Sequence, residues 1–181
     1  MPAGILLIVT VACLAGQVAY GELKPELKRC PDKVFDDPGY SLGCTYPCKS
    51  GNPGDDTEYW GIYAEAPVCV DLENGDPSKF NHIGTCENGK CVQYKGGNLE
   101  QVWHTLPALR GQFHDCPDQS STYPVGNCLF ICKKSYQGGK DGYFYGIYLD
   151  YNQCKFKGGP GQCRSGLCID QEIAGKYPIE N

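Results

Sequence analysis

The chain has 181 residues, room for one ordinary domain or two small ones, and 16 Lys and Arg against 21 Asp and Glu make it mildly acidic. No dense basic stripe is present, which speaks against nucleic acid or another polyphosphate as partner. Thirteen cysteines, 24 glycines, 13 prolines and 13 tyrosines, with one methionine, point to cross-linking in place of one large apolar core.

Residues 1–21 read as a signal peptide. Residues 4–15 are an apolar run, and Ala19-Tyr20-Gly21 before Glu22 fits the small-x-small rule for cleavage after Gly21. The run is short of the ~20 residues a membrane span needs, although the segment before it carries no Lys or Arg. The expectation is a secreted, extracellular chain with no membrane span. Cleavage removes Cys13 and leaves twelve cysteines, an even number for an oxidising compartment.

A first cysteine-rich module is assigned to 22–95, with Cys30, Cys44, Cys48, Cys69, Cys86 and Cys91. Tyr59-Trp60-Gly61-Ile62-Tyr63 follows the Gly/Asp-rich segment 50–56 and reads as the second arm of a hairpin that begins near the third cysteine. Asn88-Gly89 reads as a tight turn between two short strands. Residues 96–115 form the linker. There Leu99, Val102, Trp103 and Leu106 recur at helical spacing until Pro107, which predicts a short helix packing one module against the other.

A second module is assigned to 116–176, with Cys116, Cys128, Cys132, Cys154, Cys163 and Cys168. Intervening residues number 13, 3, 20, 16 and 4 in the first set and 11, 3, 21, 8 and 4 in the second. Both modules open on Cys-Pro-Asp. Phe144-Tyr145-Gly146-Ile147-Tyr148 answers the earlier aromatic run, and both close on Gly-x-Cys-x-x-Gly-x-Cys before a β-branched residue. The chain is therefore an internal repeat. The predicted fold is small, disulfide-rich and mostly β, as two tandem homologous modules.

A module of about sixty residues buries only about 60% of its unfolded surface, so three disulfides at roughly 2–4 kcal/mol each carry much of its stability. Replacing one pair is expected to unfold its own module and spare the other. Six cysteines allow fifteen pairings per module, and the spacing does not choose among them.

No enzyme is expected. His82, His104 and His114 stand in no nucleophile or metal motif, and no Gly-x-Ser-x-Gly, His-Glu-x-x-His or phosphate loop occurs. The close cysteine pairs resemble zinc ligands only for a reducing compartment, so neither metal nor cofactor is expected. Asp36-Asp37 and Asp55-Asp56 read as solvated loop charge, and no N-glycosylation sequon is present. Residues 30–95 hold eleven acids and five bases, a local charge of −6, and residues 116–176 hold five acids and seven bases, a local charge of +2. Such polarity either steers partners or docks one module on the other. Tyr59, Trp60, Tyr63, Tyr143, Tyr145 and Tyr148 are the candidate partner-binding residues, of which an alternating strand must turn about half inward.

Cys44-Thr45-Tyr46-Pro47-Cys48 with Gly84-Thr85-Cys86-Glu87-Asn88-Gly89-Lys90-Cys91-Val92, and their counterparts at 128–132 and 161–169, resemble the 8.9-kDa family of cysteine-rich tick salivary proteins, here in two-module form. The resemblance implies a secreted salivary anticoagulant that binds host plasma protein, factor Xa or factor V, and blocks factor Xa-mediated activation of factor V. The alternative it implies is an immune-evasion binder of host complement or chemokines. The closing motif also resembles that of the evasins, which typically carry eight cysteines and frequent sequons.

Overall fold

The structure, a computed structural model, describes residues 23–64, 68–93, 109 and 111–176. The expected signal peptide, Trp103 and the expected linker helix lie outside the described residues. No helix among the described residues is long and apolar enough to cross a membrane.

Strand β1 (Ser41–Leu42) is short, and β2 (Thr45–Lys49) and β3 (Glu58–Ile62) form the expected hairpin, Thr45 opposite Ile62 and Lys49 opposite Glu58. Its aromatic run contains Gly61 for a steric reason: a Cβ there would stand 2.7 Å from the Cβ of Cys30. Strands β4 (Val68–Leu72), β5 (Phe80–Glu87) and β6 (Lys90–Gln93) make an antiparallel sheet, and β1 adds to β4 in parallel. Asn88 and Gly89 turn β5 into β6 with φ of 51° and 78°, the pair of positive φ angles that matches strand twist in a two-residue hairpin.

The second half repeats this order. Strands β7 (Leu129–Ser135) and β8 (Asp141–Ile147) form a hairpin, while β9 (Gln153–Phe156), β10 (Gly159–Arg164) and β11 (Leu167–Asp170) form a sheet in the order β11-β10-β9. Gly146 lies 2.8 Å, by the same Cβ construction, from the Cβ of Cys116. The unequal gap between the fourth and fifth cysteines is a loop difference. A 3₁₀ turn at Glu73–Gly75 and a second turn, closed by the Lys79 N–H on the Asp76 carbonyl at 2.9 Å, separate β4 from β5, whereas Lys157 and Gly158 alone join β9 to β10. Helix α1 (Gln171–Lys176) follows β11, its first turn capped by Asp170, whose carboxylate accepts the Glu172 and Ile173 N–H groups at 2.8 and 3.3 Å.

All twelve cysteines among the described residues form disulfides, and the order is the same in both halves. Cys30–Cys48, Cys44–Cys86 and Cys69–Cys91 in the first correspond to Cys116–Cys132, Cys128–Cys163 and Cys154–Cys168 in the second. In each half the first bond ties the entering chain to the hairpin, the second ties the hairpin to the sheet, and the third closes the sheet on itself. The fold is small, disulfide-rich and mostly β.

The principal apolar core does not respect the division into halves. Tyr40, Val70 and Leu72 from the first half pack with Leu129, Ile131 and Tyr145 from the second. Tyr40 is 1% exposed, stacks on Phe113 at 4.6 Å between centroids, and donates its backbone N–H to the Tyr143 carbonyl at 2.8 Å. Gly39 permits this approach: its φ is +78°, and a Cβ would stand 2.2 Å from that same carbonyl oxygen. Lys140 pairs with Asp37 at 2.9 Å and Asp36 at 3.7 Å across the same seam. The second half's hairpin thus shares a core with the first half's sheet, which couples them, while β9–β11 packs on a smaller cluster of its own, Cys128, Cys154 and Cys163 with Val125, Tyr148 and Cys168. The shared cluster weighs against the expectation that one half unfolds and spares the other, and unfolding measurements decide it.

Candidate functional site

The six aromatic candidates divide by environment. Tyr59 and Tyr145 face the interior. Tyr59 donates its hydroxyl to Asp55 at 3.2 Å, with Arg29 over its ring at 5.0 Å. Tyr145 stacks on His114 at 4.8 Å and donates its hydroxyl to the Leu109 carbonyl at 3.1 Å. Burial, reinforced by Asp118, raises the Tyr145 phenol above its usual pKa. Trp60 is half-buried, its indole N–H donated to the Lys24 carbonyl at 2.9 Å. Tyr143 flanks the shared core. These four serve the scaffold.

Tyr63 and Tyr148, half-buried like Trp60 and Tyr143, each stand as one of a ring pair. Tyr63 lies 5.5 Å from Tyr46, and Tyr148 lies 5.3 Å from Phe130. Tyr46 and Phe130 were not among the candidates. The signal that finds them is positional: each stands two residues before the third cysteine of its set, the one aromatic inside a Cys-x3-Cys pair. Tyr123, Leu149 and Tyr151, the first of them 79% exposed, were also missed because they sit in turns with no periodic pattern. Arg164 lies over the Tyr151 ring at 3.9 Å.

A cavity of about 860 Å³ lies beside the second ring pair, where the halves meet. Pro77, Ser78, Phe80 and Asn81 wall it from the first half, and Gln119, Val125, Asn127, Phe130 and Tyr148 from the second. Its lining is neutral throughout.

The acidic pairs have structural partners. Asp36 and Asp37 hold Lys140, as above. Asp55 accepts the Thr57 N–H at 3.0 Å, and hydrogen bonds from Thr57 and Ser50, followed by one from Tyr59, lower its carboxyl pKa to about 2. A carboxyl so thoroughly ionised has no proton to give at neutral pH, so Asp55 is unsuited to general-acid work. The sulfurs of Cys44, Cys69 and Cys91 lie within 4.8 Å of one another, as do those of Cys128, Cys154 and Cys163. Every one of them is in a disulfide, and a disulfide sulfur carries no thiolate charge for a metal. His114 donates its Nε2–H to the Asp118 carboxylate at 3.0 Å, and His82 lies 3.6 Å from the Asp71 carboxylate.

No protein-family model matches the chain, and comparisons with curated proteins and with solved structures give no match.

Proposed function

We propose that the chain is a secreted, non-enzymatic binding protein of the two-module tick salivary 8.9-kDa type, similar to the tick inhibitor of factor Xa toward factor V. In this reading it is an anticoagulant that engages host coagulation components and blocks activation of factor V by factor Xa. The cysteine and glycine motifs described above carry the resemblance. The observation that supports a binding role is the repeated disulfide order joined through one core. Such a body presents aromatic side chains that are already immobilised, which lowers the entropic cost of association.

Charge supports the same reading. Asp36 and Asp37 are engaged by Lys140, but Asp56, Glu58 and Glu87 remain exposed on the acidic first half and favour a basic patch on a partner. The test is plasma clotting beside cleavage of a small chromogenic substrate by factor Xa. Clotting should be delayed while the chromogenic rate stays unchanged, because the protein occludes a protein substrate and leaves the active site open. Unchanged clotting with reduced haemolysis or leukocyte migration would move the assignment to immune evasion of complement or chemokines. No effect in any of these assays would reject both.

A further inference from the structure

The two halves carry the same ring pair, and among the described residues only the first pair has a cation over it. In the first half Lys33 sets its ammonium 4.2 Å from the Tyr46 ring centroid and 5.7 Å from that of Tyr63. Phe35 closes the flank, edge-on to Tyr63 at 5.1 Å. An ammonium on the faces of two rings is the arrangement expected for a cation attracted to the negative side of the aromatic quadrupole.

Repeat register locates the corresponding place in the second half. Lys33 is the third residue after the first cysteine of its set, bridges Tyr63 and donates its backbone N–H to Ile62 at 3.2 Å. Gln119 is the third residue after Cys116, bridges Tyr148 and donates its backbone N–H to Ile147 at 3.2 Å. Gln119 therefore stands where Lys33 stands, and by the same count Ser121 stands where Phe35 stands. Neither brings a cation or a ring. Among the described residues, no Lys or Arg lies over Phe130 or Tyr148. The rings instead adjoin the cavity between the halves.

We propose that this cavity receives a lysine side chain of a protein partner, whose ammonium takes on Phe130 and Tyr148 the place that Lys33 takes on Tyr46 and Tyr63. The chain's own first half supplies the choice of occupant. The cavity suits it: at about 860 Å³ it lies within the range of ligand sites, and it has no cationic wall to repel the guest. Ser78, Asn81 and Gln119 add hydroxyl and amide oxygens able to accept from an ammonium, which has three protons to donate. The inference rests on the binding reading for the claim that the lysine belongs to a protein, whereas the site is tested without plasma.

The experiment is an NMR titration of the disulfide-intact chain lacking residues 1–21, with Nα-acetyl-lysine methylamide as probe and the norleucine analogue as uncharged control. The lysine probe should shift the amide signals of Gln119, Phe130 and Tyr148 saturably, and the norleucine probe should leave them nearly unmoved. Gln119→Lys rebuilds the first-half arrangement from within and should abolish the response. Phe130→Leu keeps apolar bulk, removes the ring, and should do the same if the first variant is poorly folded. Equal responses to both probes, or a response that survives in the folded variants, would overturn the proposal. A lysine response with normal clotting keeps the site and rejects the anticoagulant reading, and delayed clotting with no lysine response does the reverse.

Discussion

Replacing Tyr40 by alanine tests the coupling between the halves most directly. Its ring is stacked on Phe113 and enclosed by Val70 and Leu72 on one side of the seam and by Leu129, Ile131 and Tyr145 on the other. Burial, then the neighbouring Tyr145, holds its phenol far above the usual pKa, as expected for a group removed from water. Truncating so large a buried aromatic costs about 3–5 kcal/mol, the transfer term plus the cavity left behind. In a chain of this size each kcal/mol lowers the midpoint by about 2–4 °C, so Tm should fall by roughly 6–20 °C. The assay is thermal unfolding followed by circular dichroism, with amide hydrogen exchange read separately in β4–β6 and in the β7–β8 hairpin that supplies Leu129, Ile131 and Tyr145. Both sets of amides should lose protection together. A loss below about 1 kcal/mol, or one confined to β4–β6, would refute the shared core. Val34→Ala, at a residue 59% exposed, is the control and should stay within about 0.5 kcal/mol.

Removing the Cys44–Cys86 bond by paired serine substitution frees a separation of 42 residues, against 14 for Cys154–Cys168. Loop entropy sets the costs at about 4 and about 3 kcal/mol, and urea unfolding should rank the variants in that order. Gly39→Ala should be the more damaging of two left-handed glycine substitutions: Gly43, with φ of +73°, has nothing within 4 Å of a new Cβ, whereas at Gly39 the Tyr143 carbonyl is in the way. Urea midpoints should show both variants losing about 1–2 kcal/mol to backbone strain, and Gly39→Ala a further ~1–3 kcal/mol to overpacking. Asp55 has its carboxyl pKa lowered from 3.8 to about 2, so the folded state binds its proton less readily than the unfolded chain. Its stabilising contribution is complete above about pH 4 and disappears as pH falls toward 2. An NMR titration should place the Asp55 midpoint below that of ordinary aspartates, and Asp55→Asn should flatten this part of the acid stability profile.

Much of the architecture is local chemistry and was legible in the chain. Aromatic and β-branched runs at 59–63 and 144–148 became strands, and Asn88-Gly89 became a two-residue turn because positive φ at both positions suits those residues. The matching cysteine sets implied matching cross-links. The candidate site was half legible: Tyr63 and Tyr148 were named, yet their ring partners Tyr46 and Phe130, and the contrast between Lys33 and Gln119, required the strand register.

Composition, parity and spacing determined by themselves that the chain is cross-linked, repeated and mostly β, since these follow from residue type and short-range turn geometry. Tertiary structure alone selected one pairing order from fifteen and showed that the copies meet. Four of the residues at the seam stand where the repeat is broken. Val70 and Leu72 face the common core where the second copy has the exposed Lys155 and Lys157, and Leu129 and Ile131 stand where the first copy has Thr45 and Pro47. Alternation along a strand reveals which side chains leave water, but the surface that receives them belongs to segments distant in sequence.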